Sequence, residues 1–477
     1  MKAVDMIARL ALAAVVAVSL YAAAVPAVQA QSVVVSADQR TDLALTVYQG
    51  GFALVHEVRR ANLLNDTLTV ILPDLSDRLD ITTIRLEAGE NVQIRSVALD
   101  REVLSSGALL RRSVGQRVRV ARINPATGVE TFEDAEVLAV APDLVLRIGD
   151  RIETALPGRI VFADVPPDLR PAPGIVANVA VPAAGERALS LSYLTDGVSW
   201  KASYVGRVAE DGERLELTGW ALVDNQTNTA FPAAQLALIA GQVNRATAQP
   251  IPRQPVARLV QAEAVADGVS LGATGPYYRY ALPQTFDIRA RQQTQVELIR
   301  SAAVAFVRTL RTQGGPLYSV RPTSAVTQPV TARLTIANET NNGLGIPLPA
   351  GVFSSFEEAD GREVFQGGAM VTATPVGGEM VVELGQAFDV TFERTVLNFN
   401  RTGPRNQNVD TTQKLTLKNG GSRPANVEII ETFRGEWKIV RESAAHTQVS
   451  AFQAMWQVTV PANGEASVEY RAQISQR

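Results

Sequence analysis

Residues 192–204 read SYLTDGVSWKASY. Asp196-Gly197 stands between two alternating runs, a strong short-range signal for a two-residue type I′ hairpin turn. With Thr195 facing Val198, Tyr193 falls opposite Trp200, Leu191 opposite Ala202 and Leu189 opposite Tyr204. Those six form one apolar face, while Ser190, Ser192, Lys201 and Ser203 form a polar one. Ser199 and Lys201 share a side of the strand, about 7 Å apart, which raises the question of a serine–lysine dyad. A dyad needs a desolvated lysine within hydrogen-bond reach, and a serine-lined face is wet. The stretch therefore reads as a core hairpin in which Tyr193, Asp196, Gly197, Trp200 and Tyr204 are structural.

The same alternation runs outward through most of the chain after residue 40. LALTVYQ, DTLTVIL and NVQIRSVAL are short strands punctuated by Gly, Asn and Asp. Gly50-Gly51 reads as a hairpin turn. The expected fold class is all-β, with several immunoglobulin-like sandwiches in tandem and a small SH3-like barrel. Residues 31–110 form an N-terminal β-domain. Residues 111–166, with tight turns at NPATG, APD, GD and LPG, form the small barrel. A stiff proline-rich linker follows at 167–174. Residues 175–325 are a β-sandwich, and 326–477 a C-terminal immunoglobulin-like sandwich. Within the former, 245–276 lacks aromatic residues before Tyr277 and reads as a mobile loop with a short helix near Val256 to Ala266.

Three segments share a local form: LELTGWALVDNQTN (215–228), RLTIANETNNG (333–343) and KLTLKNGGSRP (414–424). In each, a strand runs into an Asn-containing turn, where Asn bonds nearby backbone. Trp220, Asn225 and Asn338 are structural positions on this reading. GLGIPLPAG (343–351) is a rigid turn, because Pro347 and Pro349 lack the N–H groups a phosphate cradle needs.

Composition excludes several functions. The 477 residues carry a formal charge of −3, with no basic patch for nucleic acid. With no cysteine, there is no thiolate nucleophile, no disulfide and no lipid-accepting residue. His56 and His446 are the two histidines, and no spacing pairs them as ligands. Nucleotide loops and nucleophile elbows are absent, so no cofactor, metal or catalytic residue is assigned. Aromatic residues are 6%, too few for the girdles of a membrane barrel. Lys2 and Arg9 precede an apolar run from Leu10 to Ala24, then Pro26 and Val28-Gln29-Ala30. This is a Sec-type signal peptide over 1–30, cleaved after Ala30, which places the protein in the periplasm or outside the cell with no transmembrane segment left.

The ordered motifs LSYLTDGVSWKASYVGRV, LELTGWALVDNQTNTAFPAAQLALIAG, NETNNGLGIPLPAGVFSSFEE and VELGQAFDVTFERT together resemble a bacterial domain-of-unknown-function family, number 4139, with mucoidy-inhibitor-like members. The resemblance runs from about Ile175 onward. It implies an exported or envelope β-protein and implies no catalytic residue. The chain departs from the family pattern at Phe231, where relatives often carry Trp, and in lacking a coiled coil before the domain.

The expected function is a non-enzymatic cell-envelope protein that binds a protein or polysaccharide, with exposed Trp and Tyr as contacts. The alternative is a periplasmic or secreted hydrolase of glycan or peptide, using a carboxylate pair that sequence does not locate.

Overall fold

A computed structural model describes residues 32–154, 158–166, 169–209, 212, 214–245, 265–266, 269–314, 326–403 and 407–475. The signal-peptide segment lies outside these residues. The described chain is almost entirely β. No described helix is long and apolar enough to cross a membrane.

The chain divides into two compact units, neither of them a continuous stretch. One holds residues up to Thr41, Val58–Asp77 and Arg85–Leu191; the other holds Asp42–Glu57, Arg78–Ile84 and Ser192 onward. The strands Arg40–Tyr48, Phe52–Leu63 and Gly185–Asp196 each give residues to both.

In the first unit, Asp66–Leu72 pairs antiparallel with Gly174–Val181. The register sets Leu68, Val70 and Leu72 beside Val179, Ala177 and Ile175, and all six are buried. Alternation in each strand thus builds one apolar face. Arg59 is wholly buried here, and its guanidinium donates to Val35 O and Pro73 O, each at 2.8 Å. A second, five-stranded sheet runs Arg151–Glu153, Val145–Ile148, Glu130–Ala139, Arg117–Ile123, Arg159–Val161. Its core is Val118, Val120, Ala135, Val137, Leu146 and Ile148. The described part of the expected linker is packed rather than extended as a spacer. Leu169 is buried, Arg170 donates to Asp100 at 2.8 Å, and Gly174 opens a central strand.

Among the described residues, four sheets give strands to the second unit. Phe231–Ala240 runs parallel to Arg40–Tyr48 and antiparallel to Tyr277–Ile288. A five-stranded sheet has the order Gln292–Ala305, Arg214–Asn225, Val198–Val208, Gly351–Ala359, Arg362–Val371. Trp200 joins these two layers, donating from Nε1 to Ile239 O at 3.0 Å and meeting Tyr280 edge-on at 6.2 Å. The other two layers share one core, which includes Phe392, Leu415, Leu417, Ile429, Phe433, Trp456 and Tyr470. One is ordered Glu379–Gln386, Thr331–Ala337, Val307–Gln313, Ala425–Thr432, Gln453–Val460, Thr447–Ser450. The other is ordered Val326–Gln328, Val390–Thr402, Asn408–Asn419, Gly464–Ser475, Glu436–Glu442.

Two expectations need correction. Asp196-Gly197 is a corner between sheets and not a hairpin turn. Gly185–Asp196 neighbours Phe52–Leu63, whereas Val198–Val208 lies between Arg214–Asn225 and Gly351–Ala359 in a different sheet. Trp200 therefore stands beside Val223, and Lys201 beside Leu222. Gly197 has φ +81°, and its N–H donates to Gly51 O at 2.9 Å. A Cβ there would strike the Arg78 side chain. The αL glycine that suits a tight turn suits this corner equally well. All six apolar positions are buried nonetheless, because alternation reports burial and not the identity of the neighbour. By contrast, Arg40–Tyr48 and Phe52–Leu63 do lie side by side around Gly50-Gly51.

The second correction concerns 245–276. Val269–Thr274 is a strand paired with Tyr277–Ile288, and Val265–Ala266 pairs with it in turn. The expected helix otherwise lies outside the described residues.

Candidate functional site

The residues singled out by sequence mostly hold the fold. Asn225, Asn338 and Asn419 are buried at strand ends. Asn338 Nδ2 donates to Ile346 O, Thr374 O and Pro375 O at 2.8 to 3.1 Å, and its Oδ1 accepts from Gly345 N at 3.0 Å. Asn225 donates to Thr229 O and Arg289 O, and Asn419 to Arg423 O and Pro461 O. Each amide bonds backbone of the turn that follows its strand and of a segment packed beside it. Residues 345–349 form a buried strap held by one amide and two tyrosine hydroxyls. Asn338 holds its start, Tyr280 donates to Pro347 O at 2.8 Å, and Tyr204 donates to Pro349 O at 2.7 Å. Burial pushes the Tyr204 and Tyr280 hydroxyls well above their usual range. Tyr193 is buried, and Asp196 pairs with Arg245, which also reaches Asp80 at 2.7 Å.

The catalytic candidates do not assemble. Lys201 is exposed on the outer face of its sheet, so the serine–lysine pair lacks the desolvated amine it needs. His56 Nδ1 lies 2.9 Å from Ser192 Oγ. Among the described residues no three His, Cys, Asp or Glu side chains gather as a metal site would require. The carboxyl that burial raises is Glu431, and its partners are Arg394 and Tyr470 rather than a second acid.

Trp220 points outward, half-buried, opposite Ser203 and Glu297. The same row continues through Val352 to Met370. With Phe365, those two residues make an exposed apolar stripe.

A different arrangement forms at an open edge of the C-terminal layers. Glu436–Glu442 is an edge strand, paired on one side to Gly464–Ser475. Trp437 is half-buried there. Its indole donates to Ala451 O at 2.8 Å, and its ring stacks on Phe433 at 4.6 Å. His446 sits between Trp437 and Trp456, at 5.8 and 5.7 Å from their rings. Glu442 ties it down: one carboxylate oxygen lies 2.9 Å from His446 Nδ1 and accepts from Trp456 Nε1 at 3.2 Å. Trp456 stacks on Tyr470 at 4.8 Å. A continuous run of rings therefore fixes the edge to the core.

Two clefts flank Trp437. One, of about 520 Å³, is lined by Gly435, Glu436, Trp437, Gln448, Phe452 and Ser475, among others. Phe452 is 55% exposed at this end. The other, of about 510 Å³, carries Asn408, Asp410, Lys438 and Gln473, and shares Glu436, Trp437 and Ser475 with the first. Arg471 grips Asp410 with two hydrogen bonds of 2.8 and 2.7 Å, and Gln473 adds a third at 3.1 Å. The Arg471 hydrogen bond is the main reason the Asp410 carboxyl is held below its usual range. The register sets Asp410, Lys438 and Gln473 on the outer face of their sheet and Trp437 on the inner one, so the first cleft is the aromatic one, with Trp437 and Phe452 beside Gln448 and Ser475.

Sequence reasoning named exposed Trp as contacts but did not find Trp437, Phe452 or the His446–Glu442 pair. The available signal was GEWKIVRE, a Trp flanked by charges on a short strand, which marks an edge position.

A family described as a domain of unknown function (DUF4139) has a model that matches residues 189–476. A search of curated proteins found no match.

Proposed function

The chain belongs to the DUF4139 family, and on that footing we propose that it is an exported, non-enzymatic β-protein of the cell envelope that binds a protein or polysaccharide partner. Export is supported by the basic, apolar and small-residue order of residues 1–30. Removal of the leader after Ala30 delivers the β-layers to the periplasm or the exterior.

Binding is carried by one observation, the Trp437 groove. Trp437 is held by its indole hydrogen bond and by its stacking on Phe433 before any ligand arrives, which lowers the ordering cost of binding. Hydrolysis has less support. A glycosidase needs two carboxyl groups about 5–10 Å apart facing the scissile bond. The groove acid with a shifted carboxyl, Asp410, is locked to Arg471 and held in its charged form.

Crosslinking of the full chain in envelope fractions, followed by recovery of the adduct, tests this reading. A specific envelope protein or polymer is expected. Recovery of the chain only from cytoplasmic fractions, or without any adduct, contradicts it.

A further inference from the structure

We infer that the outer face of the sheet containing Thr331–Ala337 carries a small-molecule site, separate from the Trp437 cleft, for a short zwitterion with an aliphatic side chain, a free amino acid or a dipeptide.

Strand register builds the site. Arg311 stands opposite Thr331 on one side and beside Glu428 on the other. Arg333 stands opposite Glu383. The residues that alternate with these along their strands, Thr312, Leu334, Val382, Val427 and Ile429, are buried. Arg311, Arg333, Glu383 and Glu428 therefore all project from the outer face. Two clefts open there. One, of about 270 Å³, is lined by Arg311, Gln328, Thr331, Arg333 and Glu383, among others. The second, of about 530 Å³, is lined by Thr331 and Glu383 again, with Met370, Val381 and Leu384. Its far wall comes from Arg362–Val371, the edge strand of the Trp200 sheet. That strand crosses Glu379–Gln386 so closely that a Cβ on Gly367 would lie 3.3 Å from Gly385 N.

The charged groups here are not paired off. Elsewhere on the surface an ion pair closes to hydrogen-bond distance, as between Arg471 and Asp410 at 2.7 Å. Glu428 instead stands 4.0 Å from Arg311 and 3.9 Å from Arg333, beyond hydrogen-bond reach. Arg333 Nε and Gln328 Oε1 are buried and have no hydrogen-bond partner, whereas buried polar atoms normally find one. Two such guanidiniums suit a carboxylate, which arginine grips bidentately. Glu383, exposed on the next strand, suits an ammonium group. Neighbouring strands are about 4.8 Å apart, so the two charges of the ligand must lie close together, as in an amino acid or dipeptide. Two arginines against two glutamates give a ligand of one sign little net attraction, while a zwitterion gains at both ends. Met370, Val381 and Leu384 supply the apolar wall for its side chain.

The test is calorimetry of the full chain with leucine and leucyl-leucine, and with N-acetyl-leucine and leucinamide, each of which lacks one of the two charges. At least one of the zwitterions is expected to bind, and the blocked forms to bind about tenfold more weakly or not at all. Arg333→Gln should weaken the zwitterion about tenfold or more. Glu383→Gln should weaken the zwitterion and leave N-acetyl-leucine unchanged, and Lys201→Ala should change neither. Glu383 is exposed, so its variant keeps the test valid even where Arg333→Gln disturbs the sheet. No binding of either zwitterion at millimolar concentration overturns the inference. So does N-acetyl-leucine binding as tightly as leucine, which would mark a plain anion site, or binding that Glu383→Gln leaves intact.

Discussion

Asn338 shows how much of this fold hangs on single amides. It makes three donations and one acceptance within a buried strap. Removing the amide takes a partner from Ile346 O and Gly345 N, each at a cost of about 1–3 kcal/mol, while Thr374 O and Pro375 O keep backbone donors from Leu348 and Gly378. Asn338→Ala is expected to destabilise the chain by about 3 kcal/mol or more, read from the midpoint of denaturant unfolding. Lys201→Ala, on an exposed face, should change stability by no more than about 0.5 kcal/mol. Equal effects from the two substitutions would contradict the strap's role. The Asn positions were legible because the Asn-turn pattern is local. Their burial and their long-range partners were not, since Arg289 and Thr374 lie far along the chain.

At the scale of elements, the Asp196-Gly197 corner separates what local rules can and cannot say. Alternation correctly assigned strands and buried faces on both sides of it. It did not say which strands would be neighbours, because an αL glycine serves a hairpin and a sheet-to-sheet corner alike. The choice is made at long range. Val198–Val208 pairs along its whole length with Arg214–Asn225 and over Ala202–Val208 with Gly351–Ala359. The groove was hidden for a similar reason: the charges of GEWKIVRE mark an edge position, but what brings Phe452 and His446 beside Trp437 is set by pairing elsewhere in the chain.

The C-terminal layers hold a second element-scale feature, the buried set of Arg394, Glu431 and Tyr470. Gly314 lies against it, and a Cβ there would overlap both Arg394 and Glu431. Burial raises the Glu431 carboxyl above its ordinary 4.5, while Arg394 and Tyr470 pull it down in part. The folded state therefore holds this proton more tightly than the unfolded one. The stability it adds is present below about pH 4.5 and is lost as pH rises through the raised value. Relative to Glu431→Gln, the native chain should lose stability over that rise. Parallel pH profiles of the unfolding midpoint would contradict the assignment.

For the whole molecule, two surfaces in the second unit compete as the place where a partner sits. One is the apolar stripe of Val352, Phe365 and Met370; the other is the Trp437 groove. The stripe offers hydrophobic area alone, whereas the cleft beside Trp437 sets Phe452 next to Gln448 and Ser475. Specific recognition needs polar groups that fix orientation, and so favours the groove. The most direct measurement places a photo-crosslinking benzophenone side chain at Phe452 in one full-length variant and at Val352 in another, each irradiated in envelope fractions. Adducts from position 452, and few or none from position 352, are expected. Adducts from position 352 alone would contradict the assignment of the groove as the binding site.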